Sequence, residues 1–196
     1  MSKEKEDFNL RQTQLQTDVS FTAFMTAVVV FFIGLLLTKF ESFDISVKIP
    51  IAFLIISTFG FLYSTLIFTN ASEDISKRQW NIAKKYMLLG DILSEYLGVY
   101  FLILSIPLVI NVVTSDLFLR VITLVISLVG LAIYQFAHVA VIERHFEKTY
   151  NTLAWVILAF GVILFLTHIY QFYFVLFSTI FIIFMGLITY FAAKKR

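Results

Sequence analysis

Leu88–Val113, LLGDILSEYLGVYFLILSIPLVINVV, is followed after Thr114, Ser115 and Asp116 by Leu117–Ile142, LFLRVITLVISLVGLAIYQFAHVAVI. Each run is long enough for a helix to cross the ~30 Å hydrocarbon core of a bilayer, which takes about 20 apolar residues. A backbone in lipid must satisfy its own polar groups, and a helix does so within one segment. Because only three residues join the runs, the second must return beside the first, giving an antiparallel helical hairpin.

The same pattern extends in both directions. Val19–Thr38 and Ile45–Thr69 precede the hairpin, and Thr152–Ile169 and Phe172–Ala193 follow it. The joins at Lys39–Asp44 and Tyr170–Gln171 are short, whereas Asn70–Met87 and Glu143–Asn151 are longer and charged. The expected fold is therefore all-α: a polytopic membrane bundle of six transmembrane helices in three hairpins. Residues 1–18 form a polar amino-terminal segment, 19–193 the membrane domain and 194–196 a basic tail.

Charge sets the orientation. With the amino terminus inside, the inner segments carry Lys3, Lys5, Arg11, Lys77, Arg78, Lys84, Lys85, Arg144, Lys148, Lys194, Lys195 and Arg196, and the outer side only Lys39, Lys48 and Arg120. Twelve against three is the asymmetry of a multi-pass cell-membrane protein with both termini in the cytoplasm. Most tyrosines fall near predicted helix ends, where a ring with one wet edge prefers to sit, and Tyr100 lies deeper.

Composition agrees. Of 196 residues, 60% are hydrophobic and 14% charged, far from the balance of a water-soluble domain. Twenty-three Phe against seven Gly and two Pro suits helices facing acyl chains, not the alternating strands of a barrel. The absence of Cys removes disulfides, thiolate metal sites and a Cys nucleophile. A net charge of +2 gives no reason to expect nucleic acid as a partner. The lipid bilayer is the expected surrounding.

Three features stand out as candidate sites. Asn70 followed by Glu73 has the form of a helix start, predicting an amphipathic cytoplasmic loop helix over about 72–87. Its polar side would present Lys77, Arg78, Lys84 and Lys85, with Trp80 beside them, as a surface for anionic lipid or a cytoplasmic protein. On the third span Gly90, Ser94 and Gly98 recur every four residues, a stripe of small side chains that admits close helix packing. Beside it stand Asp91 and Glu95, and counting 1.5 Å per residue brings Gln135 and His138 of the next span to about their level. Ionisable groups within a span are candidates for function, so Asp91, Glu95, Gln135 and His138 together outline an ion or proton site. His168 stands alone near the outer face, where a hydrogen-bonded helix terminus is the expected role.

No HExxH, GxSxG or phosphate-binding glycine loop occurs, and no cofactor, metal centre or enzymatic activity is expected. Nor does the sequence show the midplane helix break of a secondary transporter. Three functions fit these residues: an oligomeric, channel-like permeability component acting through its cytoplasmic face, a membrane-anchored scaffold or sensor that recruits a cytoplasmic protein, and a small-ion or proton transporter.

Overall fold

A computed structural model describes residues 3–39, 45–77, 79–143 and 151–194, with side chains over 12–38, 46–77, 79–134 and 155–194. All regular structure among the described residues is helical, in six helices: α1 (Lys3–Lys39), α2 (Ile45–Ser76), α3 (Trp80–Val113), α4 (Leu117–Glu143), α5 (Asn151–Tyr170) and α6 (Phe174–Lys194). Five stretches are long and apolar enough to cross a membrane: Gln12–Thr38, Ser46–Ser76, Trp80–Val113, Leu117–Tyr134 and Phe174–Lys194. The chain is a multi-pass membrane protein. The described side chains of α5 contribute a shorter apolar helix, Trp155–Tyr170.

The separate loop helix over about 72–87 is not formed. Instead α2 runs on to Ser76 and α3 opens at Trp80. Phe68, Ala71 and Ile75 explain the difference, since they recur at helical spacing and are all buried, so the apolar face of α2 continues past Asn70. Past the end of α2 the Lys77 amide donates to the Glu73 carbonyl at 3.0 Å and the Gln79 amide to the Asp74 carbonyl at 2.8 Å. The side chain of Gln79 does not cap α3.

The described residues divide into two compact units, one within Met1–Phe40, Leu54–Phe101 and Met185–Arg196, the other within Glu41–Phe53 and Leu102–Phe184. In the first, Leu15 of α1 meets Phe68, Ala71 and Ile75 of α2 and Ala83 of α3, with Val19 and Met87 packed on the same cluster. A hydroxyl pair ties α1 to α2, Thr65 Oγ1 donating to Thr22 Oγ1 at 2.8 Å. In the second, the rings of Phe53, Phe160, Phe181 and Phe184 form a chain with centroids 5.4–5.8 Å apart. Gly161 of α5 lies against Leu104 and Leu128.

Contact between α2 and α3 in the first unit is closest at glycine. A β-carbon on Gly60 would lie 2.5 Å from the Gly98 nitrogen, and one on Gly98 would lie 2.7 Å from the Phe61 ring. A β-carbon on Gly90 would meet the Phe68 ring at 2.5 Å. Gly34 of α1 has nothing within 4 Å of that position. Gly60→Ala should therefore separate two backbones and destabilise the fold by about 1–3 kcal/mol, whereas Gly34→Ala should be neutral or slightly stabilising. Thermal unfolding of the two variants in detergent checks this contrast; equal midpoints would refute it.

Candidate functional site

Two serines hold the α2–α3 contact by hydrogen bonds to main-chain oxygen. Ser57 Oγ donates to the Gly98 carbonyl at 2.8 Å, and Ser64 Oγ reaches the Gly90 carbonyl at 2.9 Å and the Gly60 carbonyl at 2.8 Å. Each serine has a phenylalanine four residues on, Phe61 or Phe68, whose ring covers the same glycine. The unit is written twice in α2, as STFGF at 57–61 and STLIF at 64–68. That seven-residue repeat was the signal available for this interface.

Register between the two helices requires an irregularity. Seven residues of α-helix return to within about 20° of the starting direction, so Ser57 and Ser64 share a face. Eight residues separate Gly90 from Gly98 and would leave them about 80° apart in a regular α-helix. Ser94–Val99, however, is a π turn, and the Tyr100 amide donates to the Glu95 carbonyl, five residues back. One residue more per turn absorbs about 100° and returns Gly98 to the line of Gly90. Ser94, between them, instead bonds the Asp91 carbonyl of its own helix at 3.0 Å.

The same π turn places the Glu95 carboxyl. Residues five apart diverge by about 140° on a regular α-helix, too far to meet. Here Tyr100 Oη donates to Glu95 Oε1 at 3.0 Å, and the Tyr96 ring stacks on the Tyr100 ring with centroids 5.9 Å apart. Glu95 is 4% exposed and Tyr100 fully buried. Asp91, one turn earlier, is exposed, so the two carboxyl groups have different surroundings. The side chains of Gln135 and His138, like Arg78, lie outside the described residues. No group of three or more His, Cys, Asp or Glu able to hold a metal ion occurs among the described residues.

A second polar centre lies in the other unit, where sequence reading left His168 alone. The ring is 3% exposed, packs on the Phe174 ring and makes two polar contacts: Nε2 with the Ser46 carbonyl at 3.0 Å and Nδ1 with Asn111 Nδ2 at 3.3 Å. A carbonyl only accepts, so Nε2 carries the hydrogen, Nδ1 is the acceptor and the Asn111 amide donates. Pro50 explains why Ser46 needs the donor. In α2 the Ser46 carbonyl would accept from the amide of residue 50, and proline has none. His168 supplies the missing hydrogen from 122 residues away. Pro50 in an apolar run was the clue that a carbonyl one turn earlier needs a donor from elsewhere.

The α3–α4 turn is closed on itself nearby. Arg120 Nε donates to the Thr114 carbonyl at 2.6 Å and Nη2 to the Asn111 carbonyl at 3.0 Å, satisfying the last turn of α3. Asp116 Oδ1 accepts from the Leu119 amide at 3.0 Å, the amino-terminal cap of α4.

At the α2–α3 turn the lysines differ. Lys77 Nζ donates to Glu73 Oε1 at 2.6 Å, and that hydrogen bond, with the carboxylate charge, holds the Lys77 ammonium above the ordinary lysine range. Lys84 and Lys85 are exposed and have no ion-pair partner among the described residues. Comparison with protein-family models, curated proteins and solved structures finds no match to this chain.

Tyr100→Phe removes a buried donor from Glu95 and should cost about 1–3 kcal/mol, while Glu95→Gln keeps an acceptor oxygen and should cost less; chemical unfolding of both in the same detergent ranks them. His168→Leu should cost a similar amount for each group it leaves unpaired. Adding Pro50→Ala gives Ser46 a donor within its own helix and should recover part of that loss. A double variant that loses the sum of the single losses would show that the two sites are not coupled.

Proposed function

We propose that this chain is a non-enzymatic, channel-like membrane protein that lets protons or small cations cross the cell membrane, with the Glu95 carboxyl as the group that binds them. The burial of Glu95 at a π turn of a membrane-length helix carries this reading. A carboxyl that only eased a helix end into the headgroups would point outward, as Asp91 does. Glu95 is buried and accepts from Tyr100 Oη. An oxygen ligand so placed suits a proton or a hard cation, and π turns within α-helices recur at functional sites.

The topology proposed with it is six spans in three hairpins, amino and carboxyl termini inside. The distribution of basic residues supports that orientation. The length of α5 supports a sixth span, because its 20 residues amount to about 30 Å of helix.

The test is flux. Full-length protein reconstituted in liposomes loaded with a pH-sensitive dye should dissipate an imposed proton or cation gradient. Glu95→Gln should abolish that flux, and Tyr100→Phe should reduce it. Vesicles as tight as protein-free controls, or a Glu95→Gln variant that conducts like the parent, would remove the reading.

A further inference from the structure

The opening turns of α3 carry a second site, independent of Glu95. Ala83 and Met87 pack against Leu15, Phe68, Ala71 and Ile75, which fixes the rotation of this stretch. At about 100° per residue, Lys84, Asn81 and Lys85 then fill a sector of about 100° facing away from that core. Trp80 and Tyr86 stand on its two sides, 36% and 37% exposed, with Ile82 between Lys85 and Tyr86, 47% exposed. Two adjacent cations without an ion-pair partner among the described residues are thus framed by aromatic and apolar side chains. Lys77 differs, since Glu73 already neutralises it.

We propose that Lys84 and Lys85 bind the phosphate of an acidic phospholipid, with Trp80, Ile82 and Tyr86 seated among the headgroups and upper acyl chains. Charge decides the occupant. Two adjacent exposed ammonium groups at the start of a membrane-length helix attract an anion, and an acidic leaflet surface supplies one in register with the aromatic belt. The aromatic frame adds what a soluble phosphate would not use, an apolar contact on each side of the charge. Lysine stems reach toward the headgroup level while their heads stay wet.

The experiment uses full-length protein in mixed micelles or nanodiscs containing either phosphatidylglycerol or phosphatidylcholine, with bound lipid counted by native mass spectrometry. Phosphatidylglycerol should be retained in preference to phosphatidylcholine. Lys84→Gln with Lys85→Gln should weaken that retention roughly 25-fold, the effect of two lysines at a charged surface. Lys77→Gln should leave it nearly unchanged, because that ammonium is already paired. Equal retention of the two lipids, an unaffected double variant, or a Lys77→Gln loss as large as that of the double variant would each overturn the proposal. A soluble acidic protein that binds parent but not the double variant, with no lipid preference, would overturn it in favour of a protein partner. Flux through Glu95 is a separate measurement, and its outcome bears on the other reading alone.

Discussion

Inside a membrane, a backbone carbonyl that its own helix leaves unpaired has no water to turn to, and each such group costs free energy unless the protein supplies a donor. Several features of this chain follow from that constraint. Pro50 withholds a donor from Ser46, and the answer is a histidine 122 residues away, held in turn by Asn111. Where α2 and α3 touch, serine hydroxyls place their own hydrogens on the carbonyls of Gly98 and Gly90, the latter also accepting from the Ser94 amide of its own helix. The last carbonyls of α3 end at Arg120. Polar residues in these spans are few, and many of those described serve the main chain.

The α2–α3 contact shows how the constraint reaches the buried carboxyl. Apolar attraction does little to hold helices together in lipid, so close packing and hydrogen bonds between helices have to do it. Two copies of a Ser-Thr-x-x-Phe unit, seven residues apart on α2, require two glycine sites aligned on α3, and α3 offers them eight residues apart. A regular helix would put one site out of line. The π turn restores alignment, and the same change of hydrogen bonding brings Tyr100 within reach of Glu95. The buried carboxyl and the packed interface therefore share one irregular turn.

The sequence was informative where the physics is one-dimensional. Apolar runs of bilayer length near Val19–Thr38, Ile45–Thr69 and Leu88–Val113 led directly to helices, because lipid leaves the backbone little other choice. Glu95 stood out for the same reason, as an ionisable group in such a run. Relations across the chain were harder to see. Tyr100 was noticeable only for its depth, since partners five residues apart have no place in regular helix geometry. His168 looked solitary because its partners, Ser46 and Asn111, lie on two other helices. The end of α2 was misplaced because Asn70 and Glu73 resemble a cap, while Ile75 continues a buried face that began at Phe68. Local propensity lost to packing there.

One consequence concerns how such a protein could move. In a regular α-helix, shifting the register against a neighbour breaks every side-chain contact along the interface at once. A π turn is different, because it can pass along a helix by exchanging hydrogen bonds one residue at a time, rotating only the part it has crossed. The turn at Ser94–Val99 lies between two glycine contacts and contains Glu95. Any event that changes the bonding of the Glu95 carboxyl acts on the residue whose carbonyl closes the π turn, through the Tyr100 amide. The side chain and the main-chain carbonyl of Glu95 both accept from Tyr100, so the bonding of the carboxyl and the hydrogen bonding of the turn share one pair of residues.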